Sequence, residues 1–206
     1  VLSFRGHAYS RAGVAAFTTS TGYGIAKYDN PEELSVSDRN NIGYQYTDCP
    51  LYWISVIYLN FAEANAEMGS LTQDDLNNSI NKLQARAGLP AMTTTPDADP
   101  ANNMGVSNLI WEIRRCRRCE LIMDNWYRYW DLIRWHQLDK LDSTKYPNTM
   151  LGANVSNVPD CEEATKNGYI DASDAQIRTY EAKHYFYPIP TTQLTLNKNM
   201  KQNPGW

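Results

Sequence analysis

Three sets of residues in this chain have the types and spacing for bond-making or metal chemistry. Cys116-x-x-Cys119 has the separation of a metal-binding or redox pair. Zinc takes four well-placed ligands, and the chain adds only Cys49, Cys161, His7, His136 and His184, with no second close pair. Free cysteine packs as a small hydrophobe, so both thiols are read as buried structural residues and no metal is assigned. The neighbouring acids Glu32-Glu33, Asp74-Asp75 and Glu162-Glu163 could supply the two carboxylates of glycoside hydrolysis. Adjacent acids in turns are ordinarily solvated, and acids at a helix start complement its dipole. No catalytic residue is assigned, and the chain is read as a non-enzyme. Arg128, Asp131 and Arg134 have the makings of a ligand clamp, but they sit in a Trp-rich amphipathic segment and are read as an internal strut.

Binding without bond cleavage suits the remaining residues better. Phe4, Tyr9, Phe17 and Tyr23 are interspersed with Arg5, His7 and several Ser, Thr and Asn residues. That is the composition of a sugar site, where rings stack on apolar sugar faces and polar groups meet hydroxyls. Tyr146, Asn148, Asn154 and Tyr169 form a second set of this kind. The chain holds six Trp, 14 Tyr and four Phe, more rings than a core of this size requires. A formal charge of -4 gives no general attraction to nucleic acid, and the basic run from Arg114 to Arg118 is local. No stretch approaches the roughly 20 apolar residues that span a bilayer.

These residues must be positioned by the following elements. Residues 1–47 are rich in Gly, Ser, Thr and Asn, with one short strand possible over 22–28, and read as loop. Residues 48–90 read as a helical hairpin. Its first helix carries Ile54, Ile57, Phe61, Ala64 and Met68 as an apolar stripe and ends at Gly69. Its second begins with a Thr72/Asp75 cap box, carries Leu76, Ile80, Leu83 and Ala87, and stops at Gly88 and Pro90. The period and the Ala-rich first helix resemble one tetratricopeptide unit, which is unstable without neighbours. Residues 91–107 read as a polar linker with Ser107 as N-cap, and 108–140 as one long Arg/Trp-rich helix. Along it, Arg117 with Glu120, Asp124 with Arg128, Arg128 with Asp131, and Asp131 with Arg134 are spaced to pair. Residues 141–183 read as a long loop. The tail from Tyr185 through Pro188-Ile189-Pro190 to Asn203-Pro204-Gly205-Trp206 reads as an extended strap that docks on a helical body.

Five segments together resemble the SusD/RagB family: Leu59–Ala64, Asn81–Pro90, Arg117–Leu121, Arg128–Trp135, and Tyr187–Pro190 with Gln202–Trp206. The likeness implies a mostly α fold, a tetratricopeptide-like helical scaffold with long loops and few short strands, here as a C-terminal fragment. It implies a surface lipoprotein of the outer membrane that captures glycan, or peptide in the RagB branch, and passes it to a SusC-like TonB-dependent transporter. A scaffold lid without its own ligand site is a further alternative. The rest of the protein and its lipid-bearing cysteine would lie upstream. Ligand-facing residues would be Phe4, Arg5, His7, Tyr9, Phe17 and Tyr23. Arg118, Glu120, Arg128, Asp131, Arg134, Trp135, Pro188, Pro190 and Trp206 would be structural. No cofactor is expected, with a structural calcium ion left open. The chain departs from the family pattern at Cys116, where an acid is usual, and in having one extra residue across Asp124–Arg128. One inserted residue turns an ideal helix by about 100°, so a bulge or break is expected near Asn125.

Overall fold

Three helix ends in residues 51–88, at Gly69, Thr72 and Gly88, follow local sequence chemistry in the computed structural model, which describes residues 21–23, 35, 51–124, 126–157, 165–173 and 176–206. Helix α1 spans Ile54–Glu67. It ends in a Schellman turn: Ser70 N–H donates to Asn65 O at 2.9 Å and Gly69 N–H to Ala66 O at 3.1 Å. This turn places Gly69 at φ +70°, a region that favours glycine. Gly88 closes the hairpin's second arm the same way, with Leu89 N–H donating to Gln84 O at 2.9 Å and Gly88 at φ +69°. At the other end of that arm, Thr72 Oγ1 accepts from Asp75 N–H at 3.1 Å while Asp75 accepts from Thr72 N–H at 2.9 Å. These bonds complete the expected cap box.

The second arm is two short helices, α2 Gln73–Asn78 and α3 Ile80–Arg86. The chain breaks at Ser79, whose buried hydroxyl donates to Asp75 O at 2.5 Å and competes with the helical ladder. Leu76, Ile80 and Leu83 are buried as their spacing requires, whereas Ala87 is exposed. Only the five residues Met68–Thr72 separate this arm from α1, and both α2 and α3 pack on α1, so the arms run in opposite directions.

On α1 the buried face differs from the expected one. Leu59, Ala62, Ser55 and Glu63 are buried, whereas Ile54, Ile57, Phe61 and Met68 are 45–71% exposed. The reason is polar: Ser55 and Glu63 interrupt the inner face. Glu63 is accommodated there because Arg114 donates to it at 3.1 Å and to Glu67 at 3.0 Å. Periodicity therefore picks the more continuous apolar face, and packing uses the other.

The single helix expected over 108–140 is instead α4 Asn108–Glu120, α5 Tyr127–Arg134 and a 3₁₀ turn at Leu138–Leu141. Ser107 Oγ accepts from Ile110 N–H and caps α4. The break lies in Leu121–Trp126, where Met123 and Trp126 adopt φ +64° and +60°. It falls where the extra residue was noted, although Asn125 itself lies outside the described residues. The described residues divide after Asp131 into two units. The first has a core of Leu59, Ala62, Leu76, Ile80, Leu83, Met92, Ile113 and Leu121. Each large apolar side chain there contributes about 1.5–3 kcal/mol by burial. In this unit, the segment after Pro90 is held like an extra strand: Asn81 accepts from Met92 N–H at 2.7 Å and donates to Met92 O at 3.1 Å, and Gln73 also donates to Met92 O.

The second unit takes Leu132–Trp206 with residues 21–23 and 35. Strands β1 Leu151–Asn154, β2 Thr165–Lys166 and β3 Tyr169–Asp171 form an antiparallel sheet in the order β1-β3-β2. Ala153, Val155 and Ile170 are buried in this unit, as are Leu132, Trp135 and Leu138. One further helix, α6 Thr191–Leu196, interrupts the strap.

Candidate functional site

Of the residues expected to meet ligand, Phe4, Arg5, His7, Tyr9 and Phe17 lie outside the described residues. Tyr23 is described, and its ring is 63% exposed. Its backbone is fixed at the sheet edge. Thr21 O accepts from Ala153 N–H on β1 at 2.8 Å, and Tyr23 N–H donates to Thr21 Oγ1 at 3.3 Å. Gly152 makes this approach possible, since a Cβ there would lie 2.3 Å from Thr21 O. One strand over, Asn154 of β1 pairs with Tyr169 of β3. Both are exposed, and the Asn154 side chain accepts from Ser156 N–H at 3.0 Å. Tyr169 and Asn154 are thus carried together by one short sheet, with Tyr23 two residues beyond the Thr21 contact at its edge, groups suited to stacking on a sugar and bonding to its hydroxyls. Tyr146 is occupied elsewhere in the unit: its hydroxyl accepts from Lys140 Nζ at 2.9 Å and the same ammonium lies 4.5 Å from its ring centre.

The loop that bears this sheet is closed at its base. The Asp142 carboxylate accepts from Thr144 Oγ1, from the N–H groups of Thr144 and Lys145, and from Tyr180 N–H at 3.1 Å. Ser143 N–H donates to Arg178 O and Arg178 N–H to Ser143 Oγ, both at 2.9 Å. The hydroxyl of Thr144 and the N–H of Tyr180 hold the Asp142 pKa down at about 2. Burial and the Tyr185 hydroxyl push Tyr180 up to about 12.

The structural set is placed as follows. Asp131 is buried and accepts from Arg117 Nε at 2.7 Å, while Arg117 Nη1 donates to Asn60 Oδ1 at 2.8 Å. Arg117 thereby joins α1, α4 and α5. Arg118 is exposed, and Glu120 accepts from Arg86 at 2.5 Å. The expected Arg117–Glu120 pairing is thus replaced by two long-range ones, because the turn after Leu121 folds Asp131 back onto α4. Arg117 could have been found from its place in the stripe Ile110, Ile113, Arg117, Leu121. Arg128 is exposed, and its pKa is lowered by desolvation and by the nearby Arg118. Arg134 lies over the ring of buried Trp135, 4.7 Å from its centre.

Pro188 and Pro190 are exposed in a strap that is clipped to its own end. Gln202 accepts from Ile189 N–H at 2.8 Å and donates to Ile189 O at 2.9 Å. Asn203 donates to Tyr187 O at 2.7 Å, and Trp206 Nε1 to Phe186 O at 2.9 Å. The Tyr185 ring lies 4.9 Å from that of His136, and its hydroxyl accepts from Leu138 N–H. Phe186 and Tyr187 are exposed, so of the three consecutive rings Tyr185 alone is packed in.

The residues considered for bond chemistry are dispersed. Cys116 is partly buried, with a thiol pushed up to about 12 chiefly by desolvation, but Cys119 is exposed. The expectation of two buried thiols fails at Cys119, because three residues carry it about 60° further from the buried stripe of α4. Asp75 is consumed by the cap box. Cys49, Cys161, Glu32, Glu33, Glu162 and Glu163 lie outside the described residues. Among the described residues no three His, Cys, Asp or Glu side chains converge on a point, and no helix is long and apolar enough to cross a membrane.

Comparison with known proteins joins these features to one family. No relative was found among proteins of curated function. A SusD-like protein from Bacteroides fragilis has a similar structure, with a TM-score of 0.51 and 25% sequence identity. The likeness covers 74% of this chain and 25% of that one, so this chain spans only a part of its length. The sequence matches the SusD family over residues 6–206. A mostly helical scaffold with few short strands, the Arg117–Asp131 tie and the self-clipped strap are therefore the form taken here by a member of the SusD family, to which this chain belongs.

Proposed function

We propose that this chain is part of a non-catalytic glycan-binding lipoprotein of the outer-membrane surface, which hands its ligand to a SusC-like TonB-dependent transporter. Membership of the SusD family over residues 6–206 carries this reading. The exposed ring of Tyr169 beside Asn154 on the sheet, and the exposed ring of Tyr23, support it with the right chemistry. The bare outer face of α1 supports the view that the scaffold is completed by further helices, since the SusD-like protein from Bacteroides fragilis is much longer.

Calorimetric titration of soluble neutral polysaccharides and oligosaccharides, with Tyr23→Ala and Tyr169→Ala beside the parent, tests the reading. Loss of one stacking ring weakens binding by about three- to tenfold. Binding of peptides and of no glycan overturns it in favour of the RagB-like alternative. Release of reducing sugar that disappears on mutating a single acid pair overturns the non-catalytic part.

A further inference from the structure

Between α4 and the segment Leu89–Asp97 lies an open cleft of about 500 Å³, within the size range of about 300–1,000 Å³ typical of small-molecule sites. Its wall is rigid for identifiable reasons. The Schellman turn at Gly88 ties Leu89 N–H to Gln84 O, and Asn81 holds both peptide groups of Met92. On the opposite side, Glu112 and Arg115 of α4 are locked in an ion pair through Nε at 2.7 Å and a second bond through Nη2.

Gln84 lines this cleft and is 7% exposed, yet its side-chain amide has one weak partner only, the Cys116 sulfur at 3.9 Å. Either orientation of the amide leaves its other polar end without a protein bond among the described residues. A buried polar group left so costs about 1–3 kcal/mol, which a ligand can recover. With Gln84, the cleft presents the Asp97 carboxylate, the Thr95 side chain, the Arg115 guanidinium and the apolar faces of Pro90 and Pro96.

We propose that this cleft binds a neutral sugar unit. The proposal deepens the glycan-binding reading above and rests on it. The buried amide decides the class of ligand. Glu112 already neutralises Arg115, so a carboxylate is opposed by Asp97 and Glu112, and an ammonium, which only donates, cannot serve the N–H end of the Gln84 amide. A hydroxyl both donates and accepts, so one polyhydroxy ring satisfies the carboxylate, the guanidinium and either end of the Gln84 amide together. The two prolines offer flat apolar surface to its C–H face.

The test is amide-resolved NMR of the full chain during titration with neutral trisaccharides of glucose, xylose and mannose, and with a mixed tripeptide panel. A trisaccharide that shifts the Gln84 side-chain amide and the backbone of Thr93–Asp97 supports the proposal. Gln84→Leu keeps the volume and removes the polar atoms, and it weakens that interaction about tenfold, the equivalent of one buried hydrogen bond. Thr95→Val and Asp97→Asn, at exposed positions, weaken it while leaving the spectrum otherwise unchanged, which covers the case in which Gln84→Leu disturbs folding. A trisaccharide that binds with no change at Gln84 or Thr93–Asp97 overturns the cleft and leaves glycan capture standing. Tripeptides that bind where no sugar does overturn both.

Discussion

Replacing Arg117 by Met isolates the central joint of the scaffold. The Arg117 and Asp131 side chains are each 5% exposed, with their nitrogen and oxygen 2.7 Å apart. Arg117→Met removes that bond and the one to Asn60, so the buried Asp131 carboxylate loses its contact with Arg117. Breaking a buried pair from one side costs about 3–5 kcal/mol. A unit of about 80 residues has a total stability of roughly 4–12 kcal/mol, so the loss is a large share of it. With a urea slope of about 1.3 kcal/mol/M, the unfolding midpoint falls by about 2–4 M. Trp53 and Trp111 lie in the same unit and serve as fluorescence reporters. Arg117→Met with Asp131→Leu removes both charges, and this double variant regains at least about 2 kcal/mol over Arg117→Met alone. A cost under about 1 kcal/mol for the single variant, or a double variant no more stable than it, refutes the reasoning.

Acid acts on the second unit through Asp142. Its folded pKa is depressed from 3.8 to about 2, so its contribution is complete above the unfolded value and is lost as pH falls through about 2. Exchange of the Tyr180 amide should therefore accelerate below pH 3.8, and Asp142→Asn should remove that pH dependence. Gly88→Ala should cost about 1–2 kcal/mol in thermal unfolding, all of it from the backbone, because a Cβ there meets nothing within 4 Å. Maleimide at pH 8 should label Cys119 well before Cys116, as read by peptide mapping, since burial holds the Cys116 thiol near 12. Gln202→Ala should free both peptide groups of Ile189 and speed exchange of its amide, with little change at Met92 in the other unit.

The features legible in the sequence are those set by neighbours along the chain. Thr72 with Asp75, Gly69 and Gly88 act within a few residues of themselves, and their types suffice to place helix ends. The break after Leu121 was foreshadowed by one surplus residue. The inner face of α1 was hidden because its Glu63 is acceptable only once Arg114, far along the chain, arrives to neutralise it. Pairing of charges at spacings of three and four presumed a continuous helix. Two left-handed residues end that helix, so Arg117 reaches Asp131 instead of Glu120. The unsatisfied amide of Gln84 had no local signature either. Its position at the end of an apolar arm looks like an ordinary solvated helix terminus, and the amide is buried only once a distant helix brings Cys116 against it.

Helix α1 acts as a wall with a core on one side and bare hydrocarbon on the other, and this bears on how the protein can be handled. Ile54, Ile57, Phe61 and Met68 take no part in the buried core, so Lys or Glu at Ile57 or Phe61 should change stability by only about 0.5 kcal/mol. The same changes remove the stickiest strip on the helix. A more soluble version of this chain can therefore be made at Ile57, which is 60% exposed, with the buried core left unchanged.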